Sequence, residues 1–260
     1  MIFDARDVEM VNIIVSGCNG KMGKFISSVI SDRDDCKVVA GFDINTQAND
    51  GFPVYAEPDE YKGEADVIID FSHPSSLEKL LKYAKANNLP IVVATTGLSD
   101  EQKNDLAQTA KVVPVFFSAN MSIGVSLIAE LAKTAAKILG QGFDIEIIEK
   151  HHNQKIDAPS GTALMLADAV SEVAPDEMTY EYNRQAKRCK RTKNEIGIHA
   201  VRGGTIVGEH DVIFAGRDEV ITISHSAASK EVFAVGAVNA ALFLVNKEPK
   251  LYSMKDFVSF

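Results

Sequence analysis

Three cysteines, Cys18, Cys36 and Cys189, are all that 260 residues contain, too few and too scattered for a disulfide framework and without metal-ligand spacing. Such sparing use of thiols fits a reducing cytoplasm. No apolar run approaches the ~20 residues of a membrane span. The chain also lacks a basic excess. Its 27 Lys and Arg face 36 Asp and Glu, for a net charge of −9, which argues against a nucleic-acid surface. The one basic cluster, Arg184 to Lys193, reads either as a solvated loop or as a local anion-binding element. No His/Cys/carboxylate set has zinc spacing and no Gly-x-Ser-x-Gly elbow occurs, so no metal is expected. The first ten residues carry Asp4, Asp7 and Glu9 with no apolar stretch, unlike a secretory signal, and Met10 is a second candidate start. The expectation is a soluble cytoplasmic protein with neither membrane nor nucleic acid as partner.

What is present is an ordinary globular composition, 46% hydrophobic and 24% charged, at a length that suits two lobes. Val11–Ser16, Val38–Phe42, Val67–Phe71, Ile91–Ala94 and Val112–Phe117 read as buried strands. Helical stretches, Gly23–Ile30, Ser76–Asn87 and Asp100–Ala110, lie between several of them. This alternation predicts an α/β lobe with a parallel sheet covered on both faces. Ser122–Leu139 is a long apolar helix leading away from it. The texture then changes: Phe143–Lys150, Ile196–Val201, Thr205–Phe214 and Val220–Ser226 are strand-like, with one clear helix, Thr162–Val173, among them. An antiparallel or mixed sheet open on one face is expected. The polar segment Ala174–Glu195 reads as a long loop. Lys230–Val245 is helical, and Leu251–Val258 is a tail that packs back on the first lobe.

The strand Val11–Ser16 runs into Gly17-Cys18-Asn19-Gly20-Lys21-Met22-Gly23, a G-x-x-G-x-x-G spacing, and then into a helix. Glycines so placed allow a tight turn, close approach of a pyrophosphate to the backbone, and close packing of helix on strand. Alone the motif is weak. Its setting strengthens it, because Asp43 ends the second strand, twenty residues after Gly23, where a carboxylate accepts hydrogen bonds from the ribose hydroxyls of a dinucleotide. Ile44 follows where a basic residue would hold a 2′-phosphate, so NADH is favoured, with NADPH usable if Lys21 or a distant cation reaches the phosphate. Ala94-Thr95-Thr96-Gly97 and Ser118-Ala119-Asn120-Met121 follow later strands at the sheet's carboxyl edge and are candidates to border the nicotinamide. Cys18 reads as a small turn residue, sensitive to oxidation if its thiolate is favoured.

The densest chemistry lies in Glu149-Lys150-His151-His152-Asn153-Gln154-Lys155-Ile156-Asp157-Ala158-Pro159-Ser160-Gly161-Thr162-Ala163. His151 and His152 can supply or relay a proton near neutral pH. Lys155 brings a mobile positive charge. Pro159-Ser160-Gly161-Thr162 reads as the mouth of a helix whose N–H groups face an anion. The run is suited to holding a small anion and protonating it. His199, His210 and His225 lie in or beside strands and read as core or capping residues, with Glu209 and His210 candidates to support the site.

Taken in order, the glycine loop, the Thr-Thr-Gly turn, the Ala-Asn-x-Ser turn and the His-His-x-x-Lys-x-Asp-Ala-Pro-Ser-Gly-Thr run resemble dihydrodipicolinate reductases, also called 4-hydroxy-tetrahydrodipicolinate reductases. Val201-Arg202-Gly203-Gly204-Thr205-Ile206-Val207-Gly208-Glu209-His210 is a second stretch of this kind, and the likeness runs from Val11 over nearly the whole chain. The resemblance implies a Rossmann-type dinucleotide-binding domain, residues 1–122 with 231–260, and an α+β substrate and oligomerisation domain with a mixed sheet, residues 123–230, that assembles a homotetramer. It implies NAD(P)H-dependent reduction of a cyclic dicarboxylate, with loss of water, on the diaminopimelate route to lysine. His151 then matches the proton donor and Lys155 the lysine that assists it. His152, Gly161 and Thr162, with Ser160 beside them, match the binders of substrate carboxylate. Two departures stand out: Ala94 where the family commonly has glycine, and Ile44 after Asp43. Two rivals stay open. Another two-lobe nicotinamide dehydrogenase leaves the His-His-Lys run unexplained, and a non-catalytic redox sensor has no need of His151 and Lys155.

Overall fold

The computed structural model describes residues 10–47 and 51–258. Asp4, Asp7 and Glu9, on which the reading of the N-terminal segment rests, lie outside the described residues. In chain order the elements are β1 (Val11–Ser16), α1 (Lys21–Ser31), β2 (Cys36–Phe42), β3 (Val54–Tyr55), β4 (Val67–Asp70), α2 (Leu77–Ala86), β5 (Ile91–Val93), α3 (Asp100–Thr109) and β6 (Val115–Phe117). Then come α4 (Ile123–Leu139), β7 (Asp144–His151), α5 (Gly161–Ser171), β8 (Thr179–Glu181), β9 (Glu195–Arg202), β10 (Gly208–Ala215) and β11 (Val220–Ala227). The chain closes with α6 (Glu231–Leu244), β12 (Leu251–Tyr252) and α7 (Met254–Val258). These form two compact units, Met1–Ser122 with Glu231–Phe257 and Ile123–Lys230 with Val258–Phe260.

The first unit holds a seven-stranded sheet in the order β12-β6-β5-β4-β1-β2-β3, parallel throughout. On one face Leu77, Leu80 and Leu81 of α2 and Leu106 of α3 pack against Ile14, Ile68, Ile91 and Val93. The alternate residues Ile13, Val15, Ile69 and Val92 are equally buried, and α6 packs along β4 and β5. Cover on both faces is why these strands read as unbroken apolar runs. This is the Rossmann order, and the direction of strand succession reverses between β1 and β4, so a crevice opens beyond their carboxyl ends. The C-terminal tail joins the sheet as expected, with Leu251 opposite Val115 and Phe243 of α6 meeting the rings of Phe116, Tyr252 and Phe257. The strand expected from Val112 starts only at Val115. Val112 and Val113 instead close the end of α3, both donating to the Thr109 carbonyl.

The second unit holds a five-stranded mixed sheet in the order β11-β10-β7-β9-β8. β11, β10 and β7 pair antiparallel, whereas β7, β9 and β8 pair parallel. The reason lies in the connections: a tight turn links β10 to β11, while β7 reaches β9 through α5, a crossover long enough for parallel pairing. Strict alternation along β7 buries Ile145, Ile147, Glu149 and His151 on one face. Ile145 and Ile147, with Val212, Phe214, Ile196 and Ile198, pack against Ile128 and Ala132 of α4 and Ala163, Leu166 and Val170 of α5. The other face mixes charged residues such as Glu146, Lys150, Glu209 and Asp211 with Ile148, Val201, Ile213 and Val220.

One expectation is corrected here. Ala174–Glu195 is not a loop throughout, because it contains β8, paired parallel to the edge of β9, and a short helical turn at Arg184–Ala186. A three-residue edge strand whose most buried side chain is Glu181 carries no apolar alternation to betray it. The basic cluster is also explained. Arg184 pairs with Glu146 and Glu195, Lys187 with Glu181, and Arg191 with Asp144. Arg184, Lys187 and Arg191 are thus matched by carboxylates of the same sheet.

Candidate active site

In the first unit, Gly17 leaves β1 with φ +78°, and its N–H donates to the Phe42 carbonyl at 2.7 Å. A Cβ on Gly17 would sit 2.7 Å from the Phe71 carbonyl oxygen. A Cβ on Gly23 would lie 2.2 Å from the Gly17 carbonyl oxygen and 2.5 Å from Cys18 Cα, so α1 approaches the loop as closely as only glycine allows. Gly20 caps α1 without a side-chain hydrogen bond, and no acidic residue occupies the first turn. Lys21, Met22 and Gly23 thus begin a helix whose first N–H groups suit a pyrophosphate. Asp43, at the end of β2, accepts from Asn19 N at 3.0 Å and Asn45 N at 2.9 Å, one on each oxygen, which leaves acceptor capacity on both. Asn19 fastens the opposite side by donating to the carbonyls of Asn45 and Gln47. Ile44 is 95% exposed.

Cys18 is fully buried, its sulfur so close to Gly41 that a Cβ there would lie 2.4 Å away. Burial, with Asp43 nearby, pushes its thiol up to about 11, so the thiolate is disfavoured and the oxidation sensitivity considered above has no support. The turn after β5 is organised by a residue the sequence pattern did not single out. Asp70, fully buried at the end of β4, accepts from Thr95 Oγ1 at 2.7 Å and from Ser72 Oγ at 2.6 Å. Thr95 is consequently buried, leaving Thr96 and Gly97 exposed at that edge. Ser118 Oγ donates to the Asn120 carbonyl, and Asn120 Oδ1 accepts from Ser122 N, which shapes the turn carrying exposed Ala119. Ala94 and Met121 are buried beneath these turns, and the Met121 carbonyl lies against Gly236 of α6.

In the second unit, the period of two along β7 places Glu149 and His151 on the same inward face. Glu149 is fully buried. Its Oε2 meets His151 Nδ1 at 2.6 Å and Arg202 Nη1 at 2.7 Å, and its Oε1 accepts from Arg202 Nη2 at 2.7 Å and Ser160 N at 3.0 Å. Burial alone pushes this carboxyl up, but Arg202, His151 and the Ser160 amide together hold it below the ordinary carboxylate range. Strand register explains the meeting: Arg202 of β9 lies opposite His151, and His210 of β10 lies opposite Glu149. The His151 and His210 rings meet edge to face, with centroids 5.2 Å apart.

The loop after His151 is fastened to the Arg202-Gly203-Gly204 turn, Gly203 N donating to the His151 carbonyl and Asn153 N to the Gly204 carbonyl. Lys155 Nζ pairs with Asp157 at 2.8 Å. Ser160 caps α5, its hydroxyl accepting from Ala163 N and meeting His210 Nε2 at 3.2 Å. Its side chain is therefore engaged within the protein, while Gly161 and Thr162 form the first turn of α5. The structure thus gathers His151, Lys155, Ser160, Gly161 and Thr162 around one loop and adds Glu149, Arg202 and His210. Arg202 and His210 come from strands distant in sequence; His210 was already a candidate support, whereas the Arg-Gly-Gly stretch was the only local signal for Arg202. Among the described residues no cluster suits a metal ion, and no helix is long and apolar enough to cross a membrane.

Comparison with known proteins decides the family. A model of the dihydrodipicolinate reductase N-terminus matches residues 11–121, and one of its C-terminus matches residues 124–258. The chain belongs to the dihydrodipicolinate reductase family. Among curated members of the family, the 4-hydroxy-tetrahydrodipicolinate reductase of Caldanaerobacter subterraneus subsp. tengcongensis is 55% identical, over 96% of this chain and 98% of the relative. That of Clostridium tetani is 51% identical, over 94% and 96%. A solved dipicolinate-bound dihydrodipicolinate reductase from Paenisporosarcina sp. TG-14 superposes with TM-score 0.81 at 26% identity, covering 96% of this chain and all of that one. A myo-inositol dehydrogenase from Corynebacterium glutamicum, 17% identical with TM-score 0.58 over 89% and 87% of the two chains, shares the fold alone. As a member of the dihydrodipicolinate reductase family this chain is an oxidoreductase that uses a pyridine nucleotide. The glycine loop fits that cofactor on its own geometry, since its glycines let the loop and α1 pack backbone against backbone and α1 starts with no side-chain cap and no acid in its first turn.

Proposed function

We propose that this chain reduces 4-hydroxy-tetrahydrodipicolinate to tetrahydrodipicolinate on the diaminopimelate route to lysine, with NADH favoured over NADPH. One hydride and one proton enter the substrate and water leaves. Family membership over both units carries the reading, together with a proton-transfer imidazole set against a buried, ionised carboxylate. A bound nicotinamide supplies the hydride. The residues of the chain position, neutralise and protonate.

Hydride addition to an unsaturated imine system leaves negative charge, and His151 is the acid that cancels it. Lys155, released from Asp157, meets a substrate carboxylate, and His152 with the Gly161 and Thr162 end of α5 holds the dicarboxylate in register. Gly17 to Gly23 hold the pyrophosphate and Asp43 the adenosine ribose. Ile44 offers no charge to a 2′-phosphate, which is the basis for favouring NADH. Thr96, Gly97, Ala119 and Asn120 border the nicotinamide on turns held in shape by Asp70 and Ser118. The outer face of the β7–β11 sheet is the surface through which four copies assemble.

The test follows absorbance loss of NADH and, separately, NADPH at equal concentration, with the substrate generated in place by a synthase from pyruvate and aspartate semialdehyde. Synthase-dependent oxidation that is faster with NADH is the expected result. No oxidation of either cofactor by folded protein refutes the activity, and faster oxidation of NADPH refutes the role given to Ile44.

A further inference from the structure

The carboxylate behind His151 lies outside the proposed roles, yet its geometry is the most constrained in the second unit. A carboxylate offers about four lone-pair positions. All four on Glu149 are occupied: two by Arg202, one by the Ser160 amide and one by His151 Nδ1. Glu149 has no acceptor left for a ligand and, with Arg202 lying across it, no call to carry a proton of its own. An ionised carboxylate only accepts, so the 2.6 Å contact requires a hydrogen on His151 Nδ1. The other ring nitrogen, Nε2, makes no hydrogen bond among the described residues. It stands where a Cβ on Gly208 would come within 3.1 Å, so the absence of a side chain at 208 leaves it room.

We infer that Glu149, locked by Arg202, is the positioning residue that keeps a proton on Nδ1 of His151 and thereby makes Nε2 the nitrogen that gives its proton to the substrate. The first half of this statement concerns the protein alone; the second rests on the role proposed for His151. In the charged ring both nitrogens bear hydrogen, and Glu149 stabilises that cation. When Nε2 yields its proton, the neutral ring left behind is the Nδ1–H tautomer, already bonded to the same oxygen, so no rearrangement is needed before reprotonation. Arg202 is as necessary as Glu149, because without it the buried carboxyl would take up a proton and turn from acceptor to donor. The other charged or titratable groups around the ring are His210 on β10, with His225 opposite it on β11, and the Lys155–Asp157 pair in the following loop.

Nitrogen-15 NMR of histidine-labelled, ligand-free protein reads the tautomer directly, with the His151 signals assigned by their loss in His151→Gln. In wild type, titrated upward until the ring is neutral, hydrogen on Nδ1 only is expected; an Nε2–H tautomer, or a mixture, overturns the inference. This measurement needs no turnover, so it stands apart from any failure of the proposed reaction. In the cuvette, Glu149→Gln is expected to lower kcat roughly 10- to 100-fold, as loss of such a supporting partner does elsewhere, with KM changed less than about threefold. Its alkaline limb of kcat/KM should move toward acid, because the charged ring has lost its carboxylate. Glu149→Asp, which keeps the charge, should restore part of the limb shift. A limb and kcat that stay at the wild-type values in a folded Glu149→Gln protein overturn the inference.

Discussion

Replacing His151 with glutamine keeps a polar side chain of similar reach but removes the transferable proton. The expected result is a fall in kcat of roughly 10²- to 10⁴-fold, the usual worth of a positioned acid, with KM little altered; steady-state turnover near wild type would remove His151 from the reaction. Lys155→Ala takes away the ammonium that is paired with Asp157 in this structure. Because that charge serves both binding and the charge that develops later, kcat should fall and KM rise, each by at least about tenfold. Initial rates over a range of substrate concentration separate the two effects, and unchanged values for both exclude Lys155. These side chains were legible because they are neighbours in sequence and chemically unusual together. The support from Arg202 was not: it stands 53 positions from the Glu149 it holds, and strand pairing brings the two together.

At the scale of elements, the joint between β1 and α1 is among the closest backbone contacts in the first unit. Gly23→Ala places a methyl group against backbone atoms, 2.2 Å from the Gly17 carbonyl oxygen, so α1 must move off the loop. Overpacking of this kind costs on the order of 1–3 kcal/mol. A lower melting temperature and weaker NADH binding by fluorescence are expected, and wild-type values for both would show that the joint is slack. In β10, burial beside His151 and His225 lowers the His210 pKa from 6.5 to about 4. The unfolded chain therefore takes a proton near pH 6.5 that the folded chain refuses until about pH 4. Stability present above pH 6.5 is lost as pH falls through this window, by about 2 kcal/mol at pH 5. Urea unfolding of wild type and His210→Gln at pH 8 and pH 5 checks this; an equal pH dependence in the two proteins refutes it. The alternation that marked β10 as a strand gave no hint of this behaviour, because it depends on which residues of neighbouring strands lie opposite.

For the whole molecule, the outer face of the β7–β11 sheet carries exposed Thr222, Ser224 and Ser226 on its edge strand. Light scattering at micromolar concentration should give the mass of four chains, and Ser224→Lys should shift it to smaller species; a monomer in wild type refutes assembly through this face. The order of elements, the parallel sheet and the glycine loop were determined by the sequence alone, since buried strands, amphipathic helices and tight turns are written in periodicity over a few residues. The same holds for the His-His-Lys loop, whose chemistry is contiguous. Strand order in the mixed sheet, the edge strand β8, the pairing of Arg184, Lys187 and Arg191 with carboxylates, and the Glu149–Arg202 lock behind His151 were decided only by the tertiary structure. Each of these depends on pairing between residues remote in the chain. Such pairing is set by register and burial across strands, which local pattern cannot carry.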